Sequence, residues 1–284
     1  MINPRRTSGP DHLELAVADF ARGYPSRPPA TLLAPVAAHY RDVGRLLEGP
    51  LPVAHRRRLV TVAGVLAGLA GHLAFDLKQR PRAEGYFKVA FQAAQEAESP
   101  DLGAWALAMW SILPAYGGNP ASALALIQQG QAFGGQATTA TRRAWLATME
   151  AKAHAGLGDA RACSDALGRA ADAIDQAGPS ENWLGTDFFD VPRLLAFQGT
   201  CFLLLRQPEA ARTALNEGLA LRDASDVKGR ALARLDLAAA HTQERELEQA
   251  HALAIEALAI PPQYRVPAIL QRARDSSGSC ALER

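Results

Sequence analysis

A chain of 284 residues with 48% hydrophobic side chains can bury a sizeable core, and 30 Lys and Arg against 29 Asp and Glu leave a formal charge of +1. So small a charge supplies no global field to draw the chain onto nucleic acid or an anionic membrane. Three cysteines (Cys163, Cys201 and Cys280), odd in number and widely spaced, argue against a disulfide framework and a zinc site.

In chain order, the start Met-Ile-Asn-Pro-Arg-Arg runs into no apolar stretch of the secretory kind. Two helices follow, Asp11 to Tyr24 and Pro29 to Glu48, the second carrying the stripe Leu32, Leu33, Val36, Ala37, Tyr40, Val43 and Leu47. Pro35 leaves the start of that second helix open. His55-Arg56-Arg57-Arg58 reads as the solvated start of the next helix, whose stripe is Leu59, Val62, Val65, Leu66, Leu69 and Leu73. Leu59 to Leu77 is the most apolar stretch, but Thr61, Gly64, Gly68, Gly71, His72 and Asp76 interrupt it. It reads as a buried core helix and not as a membrane span. Tyr86, Phe87, Ala90, Phe91, Ala94 and Ala97 make a third stripe, and the 3.6-residue period continues to Leu258. No alternating run or Asn-Gly turn marks a strand.

The breaks fit helices as well. Arg80-Pro81, Pro100, Asn119-Pro120, Gly158-Asp159, Gln207-Pro208 and Pro261-Pro262 punctuate the stripes. Asn119 and Asp159 are predicted N-caps, whose side-chain oxygens take an orphan backbone N–H. Proline is tolerated at a first helical position because its N–H would have no partner there. The tail from Asp275 to Cys280 carries no pattern and reads as disordered.

Laid over one another at the short turns, five helix pairs align small residues. The sets are Gly71, Ala83, Ala90; Ser111, Ala123, Gly130; Ala151, Cys163, Ala170; Gly199, Ala211, Gly218; and Ala238, Ala250, Ala257. Paired helices approach closely only where side chains are small at the crossing. The larger Phe87, Ile127, Leu167 and Leu215, four beyond each second small residue, are expected to fill the gap to the neighbouring hairpin. The fifth pair has Ala254 there.

This spacing resembles the tetratricopeptide repeat (TPR) over residues 55–262, with Pro262 where that motif carries its closing proline. Ala83, Ala123, Cys163, Ala211 and Ala250 lie 40, 40, 48 and 39 residues apart, longer than the usual period of about 34. The fold expected is all-α: a right-handed helical-hairpin solenoid of about five repeats of roughly 40 residues. Residues 1–50 would be an N-terminal helical cap with a flexible start, 51–262 the array, and 263–284 a C-terminal helix and disordered tail.

Individual stretches resemble the C-terminal sensor half of actinobacterial Xre-type helix-turn-helix regulators. They are Leu69-Ala-Gly-His-Leu-Ala-Phe-Asp-Leu77, Ala144-Trp-Leu-Ala147, Ala151 to Asp159, and Phe188-Phe-Asp190. The chain departs from that plan where a DNA-binding head would sit. About 50 residues with two helices precede the array, too few for a helix-turn-helix with its recognition helix. Direct nucleic-acid binding is therefore not expected.

The resemblance implies a concave groove lined by first helices, facing His72, Phe75 and Asp76; Trp105 and Tyr116; Trp145, Thr148 and Lys152; and Arg193 and Thr200. Trp105 and Trp145, forty residues apart with Lys152 and Arg193 nearby, would make an aromatic and cationic pocket; equally, aromatics at helical spacing are core residues. The stretch Gly178 to Asp190 supplies the extra residues of the long spacing and carries Trp183, Phe188 and Phe189. It would either pack over the groove or a partner, or fold back on its own array.

No G-x-S-x-G, G-x-x-x-x-G-K-[ST] or H-E-x-x-H occurs, and the seven histidines do not cluster with carboxylates at metal-ligand spacing. No catalytic residue, metal or cofactor is expected. The reading is a regulatory module that binds a small molecule, peptide or partner protein in the groove. A protein-interaction adaptor without a small ligand is the alternative, and an enzyme on a helical scaffold is least favoured. A cytoplasmic location and no membrane contact are expected, and a homodimer is left open.

Overall fold

The computed structural model describes residues 9–178, 186 and 188–278. Its regular structure is entirely helical among these residues. Helix α1 spans Gly9–Gly23 and α2 Pro29–Leu47. Five pairs follow: α3 (Val53–Asp76) with α4 (Arg80–Glu96), α5 and α6 (Pro100–Trp110, Ile112–Tyr116) with α7 (Pro120–Gly134), and α8 (Ala140–Gly156) with α9 (Ala160–Asp175). Then come α10 (Val191–Leu204) with α11 (Pro208–Leu221) and α12 (Val227–Gln243) with α13 (Leu247–Leu258), before α14 (Pro267–Gly278).

The aligned small residues explain the pairing. All fifteen are buried. Their large partners do more than the expectation gave them. A Cβ on Gly71 would lie 2.7 Å from the Phe87 ring, and one on Gly199 would collide with Leu215. At these two crossings the large residue on the second helix also seats itself on the small residue of its own hairpin, while Leu215 clusters with Ala233, Leu237 and Ala240 of the next one and Leu167 with Cys201.

The turns repeat in register too. Lys78, Gly118, Gly158, Arg206 and Arg245 each follow the first small residue of their set by seven positions, and all have positive φ, between 59° and 78°. The residue after each returns its N–H to a carbonyl five positions back: Gln79 to Ala74, Asn119 to Pro114, Asp159 to His154, Gln207 to Phe202 and Glu246 to His241, at 2.8 to 3.0 Å. This 6→1 bond satisfies a carbonyl left over at the helix end and fixes the reversal. The two predicted caps form: Asn119 accepts from Ser122 N and Asp159 from Ala162 N.

The first helices make an inner row. Contacts run α3–α5–α8–α10–α12–α14, and α14 returns to α3. Helices α4, α7, α9 and α11 lie outside it and bury essentially one stripe each. Among the described residues α3 is the helix long and apolar enough to cross a membrane, but 78% of its most apolar window is buried by other parts of the chain. It is the core helix expected from its glycines. Cys163 and Cys201 are buried free thiols in one apolar cluster with Ala151, Ala155, Ala166 and Leu167.

The C-terminal end departs from the expectation of a disordered tail. Asp275 to Gly278 are helical, because α14 docks on α12 and carries them with it. The start before Gly9, and Cys280, lie outside the described residues.

Candidate functional site

Inside the row of first helices lies a cavity of about 560 Å³. Its floor is apolar, with Ile127, Met149, Leu203 and Leu235. Polar groups reach it from successive helices: Tyr116 ends α6, Lys152 lies on α8, Thr200 on α10, Asp236 on α12, and Arg272 on α14, which forms one wall. Lys152 and Thr200 each follow the first small residue of their set by one position, so an inward register repeated down the row aims both at one space.

Most of these groups satisfy one another. The Arg272 guanidinium donates to Asp236 at 2.6 Å and to the Tyr116 hydroxyl at 3.2 Å, and Thr200 donates to Asp236 at 2.7 Å. Burial works against the charge on Arg272, but Asp236 and Tyr116 hold it firmly protonated. Lys152 differs. Its ammonium sits 4.8 Å from the centre of the Tyr116 ring and 5.8 Å from that of Phe197, with no carboxylate partner among the described residues. Burial alone would raise the Tyr116 phenol, yet Lys152 and Arg272 together pull it below its ordinary value. The cavity is locally electropositive.

A second polar cluster joins the first helices to the last. Tyr24, just past α1, donates to Asp76 at 2.7 Å, and Lys228 on α12 lies 3.7 Å from the same carboxylate, too far for a hydrogen bond. The Lys228 ammonium also lies 3.3 Å from the centre of the Tyr24 ring. His72 meets Tyr24 edge to face at 4.8 Å. Desolvation dominates here: it pushes Lys228 down to about 8 despite Asp76 and Asp226, and lowers His72 as well. Phe75 and Tyr116, 5.3 Å apart, connect this cluster to the cavity.

Tyr116 and Lys152 therefore meet at the cavity, while His72 and Asp76 sit beside it in the closing cluster. The proposed aromatic and cationic pocket does not form around the tryptophans. Trp105 is 1% exposed, wedged onto Gly68 between α3 and α5. Six positions before the small residue, neighbouring first helices already touch, so a side chain there enters the core. Trp145 is 4% exposed, between the Arg142 guanidinium and the Phe188 ring. Arg193 pairs with Asp190 and reaches Asp226 at 3.8 Å, tying the starts of α10 and α12 together, away from Lys152.

The described end of the aromatic stretch, Thr186 and Phe188 to Asp190, packs on its own array. Buried Arg142 donates to the Thr186 carbonyl and hydroxyl at 3.1 and 3.0 Å and to Asp101 at 3.2 Å. Phe189 enters the main core. Trp183 lies outside the described residues.

Sequence reasoning missed Asp236, Arg272 and Lys228. Asp236 sat unremarked in a stripe, and the other two act only because distant helices meet. It also missed a surface cluster of His241, Glu244 and Glu246, whose ligand-capable atoms lie within 4.8 Å of one another. Arg212 pairs with both glutamates, so a cation already occupies their charge.

No family model matches the chain, and no curated protein matches it. Among solved structures, its fold is similar to the crystal structure of BtubC (BKLC) from P. vanneervenii. The TM-score is 0.55 at 14% identity, over 89% of this chain and 93% of that one. At that identity the likeness concerns the fold alone.

Proposed function

We propose that this chain is a regulatory binding module, a TPR-like right-handed array of helical hairpins that holds a ligand against the inner face of its first helices. The carrying observation is the cavity of about 560 Å³ into which Tyr116, Lys152, Thr200, Asp236 and Arg272 project from different helices. Its size falls in the range of small-molecule sites, and an apolar floor with a few convergent polar groups is the usual composition of one. Repetition of the small residues and of the left-handed turn supports the repeat reading. The likeness of short stretches to regulator sensor halves supports the regulatory one, with a cytoplasmic location.

The adaptor alternative is weakened by α14, which lies along the face a partner segment would need. Native mass spectrometry of the freshly purified chain, set against its denatured mass, tests the binding reading. Retained extra mass of small-molecule or peptide size is expected. A chain that is bare, and remains so after incubation with host metabolite extract, would turn the reading towards an adaptor.

A further inference from the structure

We propose that the cavity beside α14 recognises the carboxylate of a small amphipathic organic anion, with Lys152 as its counter-ion and the apolar floor as the seat of its body. The assignment deepens the binding reading above and rests on it.

Arg272 is engaged by Asp236, and Asp236 is further satisfied by Thr200. That leaves Lys152 facing the cavity as an ammonium flanked by two aromatic rings and unmatched by any carboxylate among the described residues. Cation–π contacts favour the charge but complete neither its hydrogen bonds nor its neutralisation. An anion entering the cavity would supply both in surroundings drier than bulk water, where a charge-assisted hydrogen bond is strong. Lys152 and Arg272 also hold the Tyr116 phenol below its ordinary value, against its burial.

The number of free cations sets the ligand class. Phosphate groups are characteristically held by several donors, such as an arginine fork or a helix N-terminus. Here Arg206 and Asp275, both exposed and opposite in sign, also line the cavity, and one part-buried lysine, a flexible point charge, stands above Ile127, Met149, Leu203 and Leu235. A monoanion with an aliphatic or aromatic body satisfies both features, whereas a polyanion would leave charge unpaired over the apolar floor. The carboxylate can belong to a free acid or to the C-terminus of a short peptide.

The test uses the full chain and three matched pairs: octanoate with octanamide, 4-phenylbutyrate with its primary amide, and Ala-Ala-Leu with its C-terminal amide. Binding is read by calorimetry and thermal shift for wild type, Lys152→Met and Lys152→Arg, with circular dichroism verifying the fold of each. The expected result is that at least one acid binds at least tenfold more tightly than its amide. Lys152→Met should erase that preference and Lys152→Arg retain it. Preference for the peptide acid over the free acids would identify a chain terminus as the source.

Equal binding of acid and amide, or an undiminished acid preference in Lys152→Met, would overturn the assignment. So would a wild-type chain that binds none of the acids, and native mass spectra then separate the two failures. A retained compound without a carboxylate leaves the binding reading standing and removes this one; a bare chain removes both.

Discussion

Gly71 and Phe87 share one place between two helices: a Cβ on residue 71 would lie 2.7 Å from two atoms of the Phe87 ring. The ring is fully buried, and the missing methyl is the space it occupies. Gly71→Ala should therefore overpack the crossing of α3 and α4 and destabilise by about 1–3 kcal/mol. Gly85 is the control, on α4 with nothing within 4 Å of its would-be Cβ. Gly85→Ala should stabilise by about 0.5–1 kcal/mol through helix propensity. Urea midpoints of the two variants read the opposite signs directly.

The left-handed turns give a second pair. Lys78 and Arg245 adopt φ of 61° and 65°, a region costly for a residue bearing a Cβ. Lys78→Gly and Arg245→Gly should each stabilise by about 0.5–1 kcal/mol, relief of strain outweighing the entropy of the added glycine. Gly158→Ala, at φ 78° with nothing near its Cβ, should cost about 1 kcal/mol through strain alone. Equal midpoints across the three would show that the turns relax.

Stability should depend on pH through Lys228, a nearly buried ammonium lowered to about 8 by desolvation. Above that value the folded chain has released the proton while the unfolded chain keeps it until about 10.4. The unfolded state then binds more protons, and stability rises with pH. Between pH 8 and 9.5 the gain should approach about 2 kcal/mol at about 1.4 kcal/mol per unit. Tyr24, pushed up by burial and Asp76, opposes this only above the ordinary tyrosine value of about 10. Lys228→Met should flatten the profile over that window; an unchanged slope would exclude Lys228 as its source.

His72 works at the other end of the scale. Burial lowers it, so below about pH 6.5 the unfolded chain takes up a proton that the folded chain resists. Stability should fall as the solution is acidified through that region. His72→Phe, which keeps an edge-to-face partner for Tyr24, should remove part of the fall. Denaturant titrations at pH 7 and pH 5 compare the two proteins.

Arg142 anchors the returning stretch. Removing a buried guanidinium takes one donor each from Asp101 and the Thr186 carbonyl and takes away one face of the Trp145 packing. Arg142→Ala should cost about 3 kcal/mol or more. A loss below about 1 kcal/mol would show that the anchor is dispensable.

Much of the hairpin layer was legible because it is written locally. Small residues twelve and seven apart mark helix crossings, and Asn119 and Asp159 cap in the sequence order that capping requires. The turns were only partly legible: Gly118 and Gly158 announce a left-handed residue, whereas Lys78, Arg206 and Arg245 adopt the same conformation with no sign of it. Trp105 and Trp145 were ambiguous for a geometric reason. A position rule names a helix face, but whether that face meets water or the next helix depends on how closely the first helices pack. Lys228 and Asp76 lie 152 positions apart, and no periodicity records that the row of helices comes round to meet its own beginning.

That meeting constrains how such a chain can change. Tyr264 donates to the carbonyl of Ser26, Lys228 stands beside Asp76, and α14 touches α3. An open array tolerates gain or loss of a unit, because each unit knows only its neighbours. In a closed one, duplicating or deleting a hairpin would carry every clasping residue out of reach of its mate. Lineages of this molecule should drift freely on their outer helices while holding their copy number constant.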